Sequence, residues 1–327
     1  MKIITCFSYK GGAGRTVAAS NIAAALASKR KKGSVLEPLK QKVAIIDLDV
    51  FSAGTHKVFN INEDLIKNED NTWIQDFFFK DISPDIFCER GGIRFGHKAF
   101  NEFENIEKGI NNCMEEFVVF PANPNPDSKF VVQKYHENLL FELFLNLESL
   151  GYDYVILDGE SGIRSMAEIA LRLSDVVLMF FRLTIQHLAG TLRFVTSGSD
   201  LFKVLFEDRS FYLIPTVVPL VNKQFNIYQE TESFIHLKTQ TESIPSDIRI
   251  NGYSLDDYAM KNKEKSGFFW YSDPNDENKR QICIHESLYL KGKEGIHIFN
   301  DNIAQFDQAV KDYYTIAKIL KDRHPAN

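Results

Sequence analysis

The sequence predicts an α/β fold: a mostly parallel, twisted sheet with helices on both faces and two irregular or helical insertions. Three observations carry this. Short apolar runs alternate with segments of helical spacing along the 327 residues, the order that gives a parallel sheet covered on both sides. The first run, "KIITCFS", passes through a glycine turn straight into an alanine-rich segment. Two later runs, "VAIIDLDV" and "YDYVILDGESG", carry acids at their ends, where ligands bind in sheets of this kind.

Lys2–Ser8 is rich in β-formers and stopped by glycines, so it predicts a buried strand. Gly11–Gly14 makes the turn and Thr16–Lys29 the first helix. Lys29, Arg30, Lys31 and Lys32 end that helix, where cations favour its dipole. Val43–Val50 is the second strand. Residues from about 60 to 118 break the pattern with polar, acidic and aromatic sequence, read as an insertion of short helices and loops. Alternation then resumes. The predicted order is strand Phe117–Pro124, helix Phe130–Leu150, strand Tyr152–Gly162, helix Arg164–Leu173, strand "DVVLMFF", helix Ala189–Phe206 and strand "FYLIPTVVPLVNK", which reaches Asn222. A second insertion covers about 224–280. "QICIHESLYL" gives a late strand and loop. A final helix spans Asn302–Lys321, with Ile303, Phe306, Val310, Tyr313, Tyr314, Ala317 and Leu320 on one face for packing on the core.

The net charge of −6 supplies no global attraction to DNA or anionic lipid. Cys6, Cys88, Cys113 and Cys283 are scattered and form no C-x-x-C pair, which argues against zinc or disulfide frameworks and for a reducing compartment. No run of about eighteen apolar residues predicts a membrane span. The N-terminus enters the glycine loop without the pattern of a signal peptide. A cytoplasmic protein with no membrane role is the expectation.

The chemistry gathers at three strand ends. A glycine loop between strand and helix turns successive N–H groups toward one point, and the helix N-terminus adds partial positive charge, so Gly11, Gly12, Ala13, Gly14, Arg15, Thr16 and Val17 suit a phosphate. Thr16 places a hydroxyl where a Mg²⁺ ligand sits in phosphate loops. Asp47 and Asp49 end the second strand, and Asp158 stands at the end of the apolar run in Tyr152–Gly162. "YKGGAGRT" departs from G-x-x-x-x-G-K-[ST]: Arg15 holds the lysine's place, and a lysine stands earlier at Lys10.

"YKGGAGRTVAASNIAAALA" resembles the deviant phosphate loop of the ParA/MinD superfamily of P-loop ATPases, K-G-G-x-G-K-[ST]-x-x-x-x-N-L-A. "AIIDLDV" and "YDYVILDGESG" are similar to that family's second motif and switch strand, and "FPANPNP", "PLVNK" and "CIHESLYL" to its later segments. The resemblance implies a single P-loop NTPase domain over residues 1–327, with the two insertions outside the likeness. It implies ATP and Mg²⁺, with backbone from Gly11 to Thr16 on the phosphates. Thr16, Asp47 and Asp158 stand at the metal, Asp49 positions the attacking water, and Asn222 reads adenine. Lys10 implies a cation that reaches across a dimer to the partner's nucleotide. Arg15 keeps the charge of the family's lysine in a larger, forked group that can grip phosphate oxygens in bidentate fashion. Val50 and Phe51 replace Pro-Gln, and Gly159, Glu160 and Ser161 replace a Thr-Pro-Pro type switch.

Two functions follow from the resemblance. One is an ATP-hydrolysing switch that dimerises on ATP, with DNA or plasmid partition as a role and Lys29–Lys32 with Lys291 and Lys293 as modest basic candidates. The other is a regulatory ATP-binding subunit with slow or no hydrolysis that recruits a protein partner. Its aromatic insertions, "WIQDFFFKD" and "SGFFWYSD", suit either an interface or local packing.

Overall fold

The apolar runs become strands and the segments between them helices. The structure, a computed structural model, describes residues 1–29, 36–61, 73–79, 82–95, 114–125, 131–182, 184–196, 209–218, 249–250, 253–254, 283–287, 289 and 295–326. β1 (Lys2–Ser8) leads into α1 (Arg15–Leu26), β2 (Val43–Asp47) and the one-turn α2 (Thr55–Val58). The first insertion supplies α3 (Ile74–Phe79), α4 (Pro84–Arg90) and β3 (Ile93–Phe95). Then come β4 (Phe117–Phe120), α5 (Tyr135–Ser149), β5 (Tyr154–Ser161), α6 (Ser165–Leu173), β6 (Val176–Arg182), α7 (Ile185–Thr196) and β7 (Ser210–Val218). A pair of two-residue strands, β8 (Arg249–Ile250) and β9 (Tyr253–Ser254), precedes β10 (Ile284–His285), α8 (Asp301–Phe306) and α9 (Gln308–Arg323).

Eight strands form one sheet in the order β10-β7-β6-β1-β5-β2-β4-β3. Its pairs are parallel except β3 with β4, which is antiparallel and edges the sheet. β1 lies in the interior between β5 and β6. The chain passes from β1 over β5 to β2, and later from β5 over β1 to β6. That reversal opens a crevice at the carboxyl end of β1.

Side-chain alternation splits the core between the two faces of the sheet. Val43 and Ile45 of β2, with Phe117 and Val119 of β4, join α1 and α9 on one face. Ala44, Ile46, Val118 and Phe120 join α3–α6 on the other. α1 is buried nearly all round, and its alanines let it approach both the sheet and α9 closely. Asn21 of α1 donates to Gly295 O at 3.0 Å and accepts from His297 N at 3.0 Å, tying the helix to the C-terminal segment. Tyr154 Oη donates to His324 O at 2.9 Å just past α9.

Several boundaries differ from the sequence reading. β2 stops at Asp47, so Asp49 sits in the following turn and not on a continuing strand. The final helix breaks at Asp307, whose carboxylate accepts the N–H groups of Ala309 and Val310 and so caps α9; aspartate is among the best N-caps. The break leaves Phe306 76% exposed, off the predicted apolar face, while Val310, Tyr313, Ala317 and Leu320 stay buried. α7 begins at Ile185, ahead of Ala189. In the first insertion Trp73, Phe77 and Phe78 pack inward, with Phe77 stacked on Phe87 at 4.7 Å and Phe87 tilted against Phe120 at 5.2 Å. Asn222, Cys113, Arg30, Lys31, Lys32, Lys291, Lys293 and most of the second insertion, "SGFFWYSD" included, lie outside the described residues.

Candidate functional site

The loop from Tyr9 to Gly14 leaves β1 at the crevice. Gly12 and Gly14 have φ of +79° and +74°, the left-handed region open to glycine. A Cβ at either would meet nothing within 4 Å, so the backbone conformation and not crowding calls for glycine there. Gly14 is the N-cap of α1 and no side chain caps that helix. Its first N–H groups are therefore donors open to an anion. Ala13 O lies 2.8 Å from Thr216 Oγ1, which also lies 3.3 Å from Phe181 O; the hydroxyl proton serves one carbonyl or the other and holds the loop against β6 and β7.

Arg15 turns inward. It is only 7% exposed. Its Nε donates to Asp158 Oδ1 at 2.9 Å, Nη2 to Asp49 Oδ2 at 2.7 Å and Nη1 to Ser8 Oγ at 3.2 Å. Burial opposes its charge, but the two carboxylates outweigh burial and hold its pKa above the ordinary value. Asp158 also accepts from Thr55 Oγ1 at 3.3 Å. Asp47 and Asp158 are register partners on adjacent strands. Asp47 accepts N–H bonds from Asp49, Gly54 and Thr55, and so folds the turn that leads into α2. Thr16, partly exposed, lies against Gly54, where an added Cβ would stand 4.0 Å from its Oγ1. Among the described residues no three His, Cys, Asp or Glu side chains are grouped to hold a metal ion by themselves. A Mg²⁺ that keeps waters and phosphate oxygens needs only one or two protein ligands, and Thr16 beside the Asp47 turn fits that smaller demand.

Burial pushes the Asp47 pKa up to about 7, helped by the charges of Asp158 and Asp49 and opposed by the N–H bonds from Thr55 and Gly54. The unfolded value is about 3.9, so the fold favours the protonated form. Stability from this group is full below about pH 4 and is lost as pH rises through about 7. Asp49 is also raised, by burial first, with Arg15 opposing. Denaturant titrations should therefore show the unfolding free energy falling between about pH 4 and pH 7, and Asp47→Asn should flatten that fall. An unchanged slope in the variant would show that the proton is held elsewhere.

On the other side of the loop, a cleft of about 450 Å³ is lined by Ala13, Gly14, Val17, Arg182, Thr216 and His285 among others. His285 Nδ1 lies 2.7 Å from Asp312 Oδ2; that bond, with Cys283 adding to it, pushes the imidazole up to about 10 against burial. Sequence reasoning missed Arg182, Thr216 and His285. Their only signal was a position at strand ends, which the site shares with many inert residues. Lys10 is exposed at the mouth of the loop. Beside it Tyr9 packs on α7, where a Cβ at Gly190 would stand 2.5 Å from the Tyr9 ring.

The structure thus brings Gly11–Val17, Asp47, Asp49 and Asp158 to one end of the sheet, and Asn222 alone of the predicted site lies outside the described residues. Among the described residues no helix is long and apolar enough to cross a membrane. No curated protein sequence matches the chain. Among solved structures, pNOB8 ParA superposes with a TM-score of 0.61 at 16% identity, covering 98% of each chain. The MinD cell division protein of Aquifex aeolicus gives 0.56 at 16% identity, again over 98% of each. A protein of Borrelia burgdorferi B31 described as a plasmid partition protein, with AMPPNP bound, gives 0.54 at 16% identity and 98% of each. The AAA_31 family of AAA domains matches residues 1–208, from β1 to beyond α7. The chain belongs to that family, and its fold is the one shared by the ParA and MinD P-loop ATPases.

Proposed function

We propose that the protein is an ATP-binding, ATP-hydrolysing switch of the ParA type that dimerises when ATP is bound. One observation carries this: a left-handed glycine loop at the sheet's reversal point opens uncapped helix donors beside a 450 Å³ cleft. The N–H groups from Gly11 to Thr16 take the phosphates and the cleft takes the nucleoside. Thr16, with Asp47 and Asp158 behind it, holds Mg²⁺, which supplies charge neutralisation on the terminal phosphates. Asp49 positions water, and Lys10, exposed at the loop's mouth, reaches the nucleotide of a second copy. Supporting this, the Borrelia burgdorferi relative binds AMPPNP. DNA is a candidate partner because pNOB8 ParA has been solved on nonspecific DNA. Of the basic candidates, Lys29 is paired with Glu115 at 3.5 Å.

A second reading is a regulatory ATP-binding subunit with slow or no hydrolysis that recruits a protein partner. The grip of Arg15 on Asp49 and Asp158 favours it, since both acids are engaged by protein. Size measurement with and without Mg·ATP, together with phosphate release, separates the two. The switch reading expects a dimer only with ATP, steady phosphate release, and loss of both in Lys10→Ala. ATP binding with no release supports the regulatory reading, and no ATP binding sinks both.

A further inference from the structure

Arg15 has no donor group left over for a ligand. Its Nε, Nη1 and Nη2 are engaged by Asp158, Ser8 and Asp49, and it is buried beneath the loop. Turning it out to a phosphate would strip the wholly buried Asp158 of its cation, and an uncompensated buried charge is costly. The loop therefore lacks the side-chain cation that its sequence promises. Another group has to meet the charge of a phosphate chain.

Arg182 stands where that charge falls. It is the last residue of β6, and β6 pairs on one side with β1, which leads into the loop. On the other side its register partner is Thr216 of β7, whose Oγ1 lies 2.8 Å from Ala13 O of the loop. Arg182 lines the same cleft as Ala13 and Gly14, and Gly14 is the uncapped start of α1. The residue is exposed, and among the described residues no hydrogen bond or ion pair ties its guanidinium. His187 of α7 registers the charges gathered here. Its pKa is lowered, first by burial and then by the charges of Arg182 and Lys10. Lys10 leans on α7 as well, its Cγ 3.6 Å from where a Gly190 Cβ would be. His285 is different, because Asp312 lies 2.7 Å away and matches its charge; Glu286 also lines the cleft. Cations beside open helix donors draw an anion to that place.

We infer that Arg182, and not Arg15, is the side-chain cation that grips the phosphate oxygens of the bound nucleotide. The inference rests on nucleotide binding, which both readings above share. The planar fork of a guanidinium matches two phosphate oxygens at once. Arg182 acts on the nucleotide of its own subunit, and Arg15 stays below the loop to hold Asp49 and Asp158 in place. The two arginines thus divide what one lysine does in an ordinary phosphate loop.

The test measures ATP binding by calorimetry in the native protein, Arg182→Gln and Arg182→Met. Both variants remove the charge from an exposed side chain, so the melting temperature without nucleotide should stay near native; should one fold poorly, the other carries the test. At low salt each should bind ATP about 10- to 100-fold more weakly than the native protein, the usual worth of hydrogen bonds to a charged group. The gap should narrow between about 0.01 M and 1 M salt, because salt screens an exposed charge. Near-native ATP affinity in a folded variant overturns the inference and means that Arg15 leaves its acids for the phosphate. A gap that salt does not narrow also overturns it, and assigns Arg182 to the nucleoside instead. Both outcomes leave nucleotide binding standing. A native protein that does not bind ATP overturns the two readings above and this inference with them.

Discussion

Arg15→Met is expected to destabilise the fold by about 3–5 kcal/mol, the usual consequence of removing one partner from a buried ion pair. The guanidinium is the shared counterion of Asp158, which is wholly buried, and Asp49, which is nearly so. Without it the two carboxylates lose the cation that bridges them, beside a third buried acid, Asp47. Denaturant unfolding near neutral pH measures the effect. Lowering the pH should recover part of it, because protonation does for the acids what the arginine did. Arg15→Lys keeps the charge but offers a point where the fork offered three donors, so it should lose about 1–3 kcal/mol. Asp49→Asn added to Arg15→Met should recover stability relative to Arg15→Met alone; additive losses in that cycle would show that the two side chains act independently.

Phe87→Ala is the second large effect, about 3–5 kcal/mol. Phe87 is fully buried between Phe77 of α3 and Phe120 of β4, and so fastens the first insertion to the sheet. Phe79→Ala, two residues along α3 from Phe77, should change stability by no more than about 0.5 kcal/mol, because Phe79 is 51% exposed. Equal losses for the two would mean that the insertion is not attached to the sheet in this way. Among the described residues of this insertion, Phe79 is presented to solvent, whereas Trp73, Phe77 and Phe78 are committed to packing.

Strands buried on both faces wrote themselves into the sequence as unbroken apolar runs, which is why β1, β2, β5 and β6 were legible. β3 was not. Three residues, "IRF", at an antiparallel edge carry too little periodicity to stand out from the insertion around them. The final helix read as continuous because its apolar spacing runs through Asp307; only the capping bonds to Ala309 and Val310 reveal the break. At the site, glycine chemistry announced the loop, since backbone angles near +75° select glycine whatever surrounds them. The direction of Arg15 was hidden. A cation in a phosphate loop reads as a phosphate ligand, and its turn toward Asp49 and Asp158 depends on residues more than thirty and one hundred and forty positions away. Glu160 was visible as a departure in the switch strand, but the bulge in β5 beside it leaves no local pattern in the sequence.

The interior position of β1 also bears on how the chain is made. β1 pairs with β5 and β6, which are made much later and whose residues begin at Tyr154 and Val176. At about 5–20 residues per second, synthesis keeps β1 waiting roughly seven to thirty seconds for its first neighbour. The bonds from Asn21 to Gly295 and His297 close later still. Until then "KIITCFS" and the alanine face of α1 are apolar surface without cover, so a nascent chain stalled before Tyr154 is the form most in need of a chaperone.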